Sequence, residues 1–154
     1  MREMRAHIGV DPGSSTGAMC ILLEDGSYKV FSFEKYTPKE WFAILQNWYN
    51  VYECEVCCER VHGMPKMNVV AISSFMKNVG QIEMALAVCG FPTRYITPQT
   101  WMKYYGVKKE KGEGKTVWKK RLREVLQQRL PSVECTTEQA DAVLIALYGR
   151  CTRV

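Results

Sequence analysis

The stretch "HIGVDPGSSTGAMCIL" (residues 7–22) places one carboxylate, Asp11, at the end of an apolar run. Pro12 and Gly13 follow it directly, and small residues continue to Gly17. The apolar residues on either side predict two strands joined by a tight loop. Glycines let such a loop turn sharply and let other groups approach the backbone closely. Asp11 therefore lies at the edge of a predicted sheet, either in a loop that cradles a nucleotide phosphate or at one corner of a metal site that cuts nucleic acid.

Further along the chain, apolar runs alternate with turn residues. Asp25-Gly26 is a hairpin signal, and Thr136 with Gln139 matches the capping box that begins a helix. The order β-β-β-α-β-α-β-α-α predicts an α/β protein with a five-stranded mixed sheet flanked by helices. We predict strands at 6–11, 17–25, 27–36, 53–61 and 92–97, and helices from Pro38, over 68–89, over 115–130 and from Thr136 to about Gly149. A brief helical turn is predicted from Pro98.

The 154 residues and 47% hydrophobic content suit one globular domain, residues 1–154, with a real core. No apolar run approaches the roughly 20 residues that a membrane helix needs, so no membrane partner is expected. The N-terminal "MREMRAH" lacks the pattern of a secretion signal. We therefore expect an intracellular protein, cytoplasmic if bacterial or viral, with an organelle left open.

Seven cysteines, an odd number, do not form the framework of a secreted disulfide-rich protein. Three of them crowd into "ECEVCCERVH" (residues 53–62). A zinc site would use Cys54, Cys57 and His62, but no second Cys or His pair follows at ligand spacing. The sequence favours small buried side chains in a strand.

Positive charge is concentrated in one segment. Residues 103–123 contain nine Lys or Arg and two Glu residues, whereas the rest of the chain has a small negative balance within the total of +5. Such a concentration indicates a polyanionic partner, and nucleic acid is favoured. The alternative is a solvated helix face with ordinary lysines.

Four carboxylates occupy positions where a site could form. Asp11 ends the first strand and Glu59 lies at the end of the fourth, while Glu138 and Asp141 share one face of the last helix. The first and fourth strands are neighbours if the first three strands form a meander and the fourth adds beside the first. Clustered carboxylates repel one another unless a cation neutralises them, and Mg²⁺ prefers oxygen ligands. Two such ions support phosphodiester hydrolysis.

The segments "IGVDPGSSTGAMCIL", "CCERVH", "NVGQIEMAL", "GKTVWKKRL" and "EQADAVLIAL" resemble RuvC-type Holliday junction resolvases, a family similar to ribonuclease H in fold. The resemblance covers nearly the whole chain and implies a homodimeric, Mg²⁺-dependent endonuclease, with Mn²⁺ as a substitute. Such an enzyme cuts two opposed strands of a four-way DNA junction symmetrically.

The resemblance also implies residue roles. Asp11 would bridge two metal ions, Glu59 would be a ligand, and Asp141 matches the last acid of the family. Glu138 stands where the family more usually has Asp. For DNA, the resemblance implies Lys66 at the backbone and Lys115 near the scissile phosphate, with His62 where the family tends to place an aromatic ring; the basic segment adds Lys108, Lys109, Lys111 and Lys119.

Three other functions stay open. A phosphate-cradle ATPase or sugar kinase uses similar loops, but it needs a second Gly-rich acidic loop that is absent from the sequence. Another ribonuclease H-like nuclease would act on forks, flaps or RNA–DNA hybrids with the same acids. A DNA-binding module without catalysis would need the lysines and not the acids.

Overall fold

The computed structural model of the protein describes residues 4–61 and 68–153. Within these ranges, five strands and five α-helices follow one another, with a short 3-10 turn at Phe33–Lys35. The order has one helix more than predicted, because the brief helical turn predicted from Pro98 forms a helix of its own. The strands are β1 (Arg5–Asp11), β2 (Ala18–Leu23), β3 (Tyr28–Ser32), β4 (Glu53–Glu59) and β5 (Thr93–Ile96), and the helices are α1 (Pro38–Val51), α2 (Val69–Cys89), α3 (Pro98–Tyr104), α4 (Lys115–Arg129) and α5 (Thr137–Cys151).

The sheet has the order β3-β2-β1-β4-β5, so β1 lies at its centre. β1 pairs with β2 antiparallel and with β4 parallel, and β4 pairs with β5 parallel. This confirms the predicted five-stranded mixed sheet and the predicted neighbours of the first strand. Because β1 and β4 run in the same direction, Asp11 and Glu59 end them at the same edge of the sheet.

The helices cover both faces of the sheet. On one face α1 contributes Trp41, Leu45 and Trp48 to the core, and α2 contributes residues from its second half. On the other face α5 is buried almost throughout, and α3 and α4 pack around it. α5 lies so close to β1 that a Cβ on Gly9 would overlap backbone atoms of Ala142 and Ala146. This glycine therefore sets the distance between the last helix and the central strand.

Three details differ from the sequence predictions. The third strand is shorter than predicted, because the chain turns into the 3-10 segment after Ser32. In α2, helical spacing of apolar residues predicts that Val69 and Met76 face the core, but they are 79% and 53% exposed. Periodicity marks the apolar face of α2, but only residues from Asn78 onward are buried in the protein. The amphipathic pattern of α4 likewise predicts that Val117 is buried, but it is 51% exposed.

Cys54, Cys57 and Cys58 are buried in β4, as expected for small core side chains. His62, the third residue of the alternative zinc site, lies outside the described residues. Within the described ranges, no helix is both long enough and apolar enough to cross a membrane.

Candidate metal centre

Three of the predicted acids meet at one edge of the sheet. Asp11 and Glu59 are the last residues of β1 and β4, and Asp141 begins the second turn of α5. The close contact of α5 with Gly9 brings that turn against the end of β1. Asp141 is 5% exposed, so its carboxylate is largely removed from water.

Burial changes the protonation of all three carboxylates, and neighbouring carboxylates also affect Asp11 and Glu59. Burial raises the pKa of Asp11 well above its ordinary range, and the negative charges of Glu59 and Asp141 raise it further. Burial also raises the pKa of Glu59 and of Asp141. A protonated Asp11 can donate to Glu59, which raises the pKa of Asp11 and lowers that of Glu59. The cluster thus has a strong tendency to bind a proton or another cation.

Trp101 holds Glu59 in place. Its Nε1–H donates to Glu59 Oε2 at 2.7 Å, and its indole extends from α3 into the core, where it is completely buried. This bond also opposes the increase in the pKa of Glu59. Sequence reasoning missed this residue, because one Trp in a short helix gives no sign of a partner 42 positions away.

Lys119 neutralises part of the negative charge. Its Nζ pairs with Oδ2 of Asp141, and both side chains are largely buried. Oδ1 of Asp141 is buried and has no hydrogen-bond partner among the described residues. One oxygen of this carboxylate is therefore available for a further cation. The sequence predicted Lys119 as a DNA contact, and in this arrangement its partner is the acid.

The loop after Asp11 is fixed by α2. Asn78, a buried polar residue on the packed half of that helix, accepts a hydrogen bond from the Gly13 N–H at 2.8 Å through its Oδ1. The hydroxyl groups of Ser14 and Ser74 lie 2.9 Å apart and add a second link. Sequence reasoning missed Asn78 too, although a polar residue within an apolar helical stripe is a usable signal.

A cleft of about 100 Å³ opens beside the acids. Glu138 is exposed on the first turn of α5 and lines this cleft with Asp11, while Lys115 and Lys119 come from α4. The structure therefore brings Glu138 to the same cleft, but leaves it in solvent rather than among the buried acids. The cleft is lined by Asp11, Thr16, Lys115, Lys119, Thr137 and Glu138.

The comparisons with known proteins bear on the fold. No family model and no curated protein matches the sequence. The chain is similar to the solved structure of T. thermophilus RuvC in complex with Holliday junction substrate, at 16% sequence identity and a TM-score of 0.57, over 97% of this chain and 93% of that chain. The chain has the RuvC fold. A second structure, Thermus thermophilus RuvC, matches at 17% identity and a TM-score of 0.49, over 96% of this chain and 93% of the other.

In this RuvC fold, we tested whether the acids suit a divalent ion. The donors are hard oxygen ligands from three separate elements, and Asp141 Oδ1 is a buried oxygen without a partner among the described residues. However, no group of three or more His, Cys, Asp or Glu side chains in the described ranges is arranged to hold an ion. The donor chemistry of these residues fits a divalent ion, whereas the positions of the described side chains do not form a complete set of ligands.

The basic segment lies beside the cleft of the RuvC fold. Lys108, Lys109 and Lys111 are exposed and form no ion pair with any described residue. Arg121 ties this segment to α4: it donates to the Lys108 carbonyl at 2.9 Å and pairs with Glu113 at 2.5 Å. Two other predicted DNA contacts, His62 and Lys66, lie outside the described residues.

Proposed function

We propose that the protein is a Mg²⁺-dependent endonuclease, with residues 1–154 forming one nuclease domain, that resolves four-way DNA junctions. The observation that carries the proposal is the meeting of Asp11, Glu59 and Asp141 at one edge of a RuvC-fold sheet. The solved RuvC with this fold is in complex with a Holliday junction substrate, which supports branched DNA as the substrate class.

Asp11, Glu59 and Asp141 would hold the metal, with Glu138 at the rim as a further ligand. Divalent ions, when bound, activate water and neutralise the charge that develops on the leaving oxygen of a phosphodiester. The protein's own contribution is to bury the carboxylates and to fix their orientation. Trp101 restrains Glu59, and Lys119 balances part of the charge of Asp141.

The basic segment would hold the DNA backbone. Lys115 and Lys119 lie one turn apart on α4 and line the acidic cleft, so they would contact the phosphate nearest the cut. Lys108, Lys109 and Lys111 are exposed and would meet more distant phosphates. His62 and Lys66 follow the acid that ends β4 and are proposed as further contacts.

A triple variant tests the exposed lysines. Replacing Lys108, Lys109 and Lys111 by Gln should weaken binding to unrelated DNA sequences equally. Because each phosphate contact contributes a slope of about −0.9, the plot of log K against log salt should become shallower by about 2 to 3. Fluorescence anisotropy at several salt concentrations measures this slope. The control with an equal change of charge replaces Lys29 on β3, Lys35 in the 3-10 turn and Lys39 on α1. An unchanged slope in the first variant would show that the basic segment does not contact the DNA.

Symmetric cutting of two strands requires two active sites, and we propose a homodimer formed through α2. This helix exposes a row of apolar side chains: Val69 and Val70 are each 79% exposed, and Met84 and Val88 are each 65% exposed. Met84→Glu should shift the protein from dimer to monomer in analytical ultracentrifugation. Val51→Glu, at another exposed apolar position, is the control. A monomeric wild type, or a dimer that survives Met84→Glu, would contradict this interface.

The deciding experiment is a cleavage assay on a synthetic four-way junction beside a fork, a flap and an RNA–DNA hybrid, with Mg²⁺ and with EDTA. The proposal predicts paired cuts in opposed strands of the junction, only with the metal. Selective cutting of the hybrid or the fork would instead favour another ribonuclease H-like activity. No metal-dependent cutting of any substrate would contradict the proposal as a whole.

A further inference from the structure

A cleft much larger than the one at the acids opens next to them. It has a volume of about 770 Å³ and opens between α3, the segment after it and α4. This size is within the range of pockets that enclose small organic molecules. Its floor and walls are apolar: Pro98, Met102, Val107 and the indole of Trp118. The function described so far does not use this space.

Cations surround the apolar floor. Lys103, Lys108 and Lys109 line the same cleft, and all three are exposed at its rim. An apolar, aromatic floor inside a ring of ammonium groups complements a ligand with a flat, weakly polar body and negative charges at its edge. A nucleotide of an unpaired strand has this form, since its base is a flat ring and its phosphates are anionic.

The cleft adjoins the acids through two residues. The Nζ of Lys119 pairs with Asp141 and lies 5.0 Å from the centroid of the Trp118 ring. On the other wall, Trp101 donates to Glu59, and its neighbour Met102 lines the cleft. A strand with one phosphate at the acids therefore has the cleft beside its next nucleotides.

Trp118 carries a further sign of an unmet interaction. Its Nε1–H is buried and has no hydrogen-bond partner among the described residues. A buried donor without an acceptor costs free energy. No hydrogen bond to another described residue therefore restrains the indole, and a turn towards the cleft would let Nε1 donate to a backbone oxygen of a strand whose base stacks on the ring.

We propose that this cleft, the base pocket, binds an unstacked nucleobase of the DNA strand, with Trp118 as its stacking surface and Lys103, Lys108 and Lys109 on the flanking phosphates. The proposal rests on the proposed function, because it assumes that a DNA strand crosses the acids. It extends that function by giving the enzyme a contact with a base, and not only with the backbone, outside the metal centre.

The test distinguishes binding to a base from binding to the phosphate backbone. Binding of a fluorescent DNA tetranucleotide is compared with binding of an abasic tetramer that has the same phosphates, in EDTA, so that no cleavage is required. The wild type should bind the intact strand about tenfold more tightly, as expected for one stacked base. Trp118→Leu should bind both strands alike, whereas Trp118→Phe should keep part of the preference. Val117→Ala, at the adjacent exposed position outside the cleft, should keep all of it.

Equal binding of the two strands by the wild type would overturn the pocket, as would a preference that persists in Trp118→Leu. If Trp118→Leu does not fold, Gln99→Trp fills the cleft from an exposed rim position and should abolish the preference by itself. A preference that survives Gln99→Trp counts equally against the pocket. The junction cleavage assay is independent: cleavage without base preference contradicts only the pocket, and base preference without cleavage contradicts only the proposed function.

Discussion

The two ends of the paired strands β1 and β4 differ in how far their charged groups are balanced by other protein groups. Near the beginning of the strands, His7 lies directly beside Glu55. Burial lowers the pKa of His7, and Glu55 pairs with Arg153 at 3.5 Å. At the other end, burial and the nearby charges of Glu59 and Asp141 raise the pKa of Asp11, and the charges there are only partly balanced. The charges at the first end are balanced by neighbouring protein groups, whereas those at the second end require a cation or protons.

Within one sheet, the balanced end of the strands therefore serves stability, and the unbalanced end serves the candidate site. A protein built only for stability would neutralise both ends, because buried like charges cost free energy. Here the costly end coincides with the close packing of α5, a restrained glutamate and a row of lysines. Substitutions at one end of the strands, or at the contact that joins them to the helix, can each be compared with a substitution at a matched position.

The largest expected effect is on cleavage. Asp11→Asn keeps the shape of the side chain but removes its charge, and it should reduce junction cleavage by more than about 100-fold, since even indirect partners of metal ligands contribute 10–100-fold. Junction binding should persist. Glu55→Gln, at the balanced end of the same strands, should cut at close to the wild-type rate. Normal cutting by Asp11→Asn in Mg²⁺, measured under single-turnover conditions, would show that the acids are misassigned.

The next effect concerns the restraint on Glu59. Trp101→Phe removes the Nε1–H donor and leaves an aromatic ring in the core, so metal affinity should fall by about 10-fold or more. Titration calorimetry with Mn²⁺ measures the affinity directly. Trp41→Phe removes a similar volume from the core on the opposite face and should leave the affinity unchanged. Equal Mn²⁺ affinities in the two variants would show that Trp101 contributes only packing.

The contact between β1 and α5 should control stability. Gly9→Ala forces a methyl group into the backbone of α5 and should lower the free energy of unfolding by about 1–3 kcal/mol. Gly80→Ala, in a helix interior with open space around it, should instead raise it by up to about 1 kcal/mol. Urea unfolding of both variants tests the pair. A Gly9→Ala protein as stable as the wild type would mean that α5 does not pack against β1 at this distance.

The smallest effect is the dependence of stability on pH. Because the pKa of Asp11 is raised in the folded protein, the folded state holds a proton that the unfolded chain has released above its ordinary pKa of about 4. Stability is therefore lost as pH rises from there through the folded-state pKa. Asp11→Asn should remove this loss and, in EDTA at neutral pH, raise the melting temperature by about 2–4 °C.

Melting curves between pH 4 and pH 8 check the sign. The two proteins should melt together at the acidic end of this range and separate as pH rises, with the variant higher. A wild type that gains stability over Asp11→Asn with rising pH would contradict the electrostatic account of this end of the sheet.

The sequence was sufficient to place the acids but not their partners. Strand ends and helical spacing predicted the positions of Asp11, Glu59 and Asp141, because chain direction in a sheet and periodicity in a helix are local properties. The contacts of Trp101 and Lys119 depend on how α3 and α4 pack against the sheet, which local pattern does not encode. Met76 was placed in the core because periodicity identifies an apolar face and not the part of the helix that the sheet reaches.

The most direct test of the central claim is the binding of a divalent ion by the acids, measured by calorimetry with Mn²⁺ and Mg²⁺ in the absence of DNA. The wild type and Glu55→Gln should bind the ion, and binding should be lost in Asp11→Asn and in Asp141→Asn. A wild type that binds neither ion at millimolar concentration would contradict this claim, as would undiminished binding in both Asn variants.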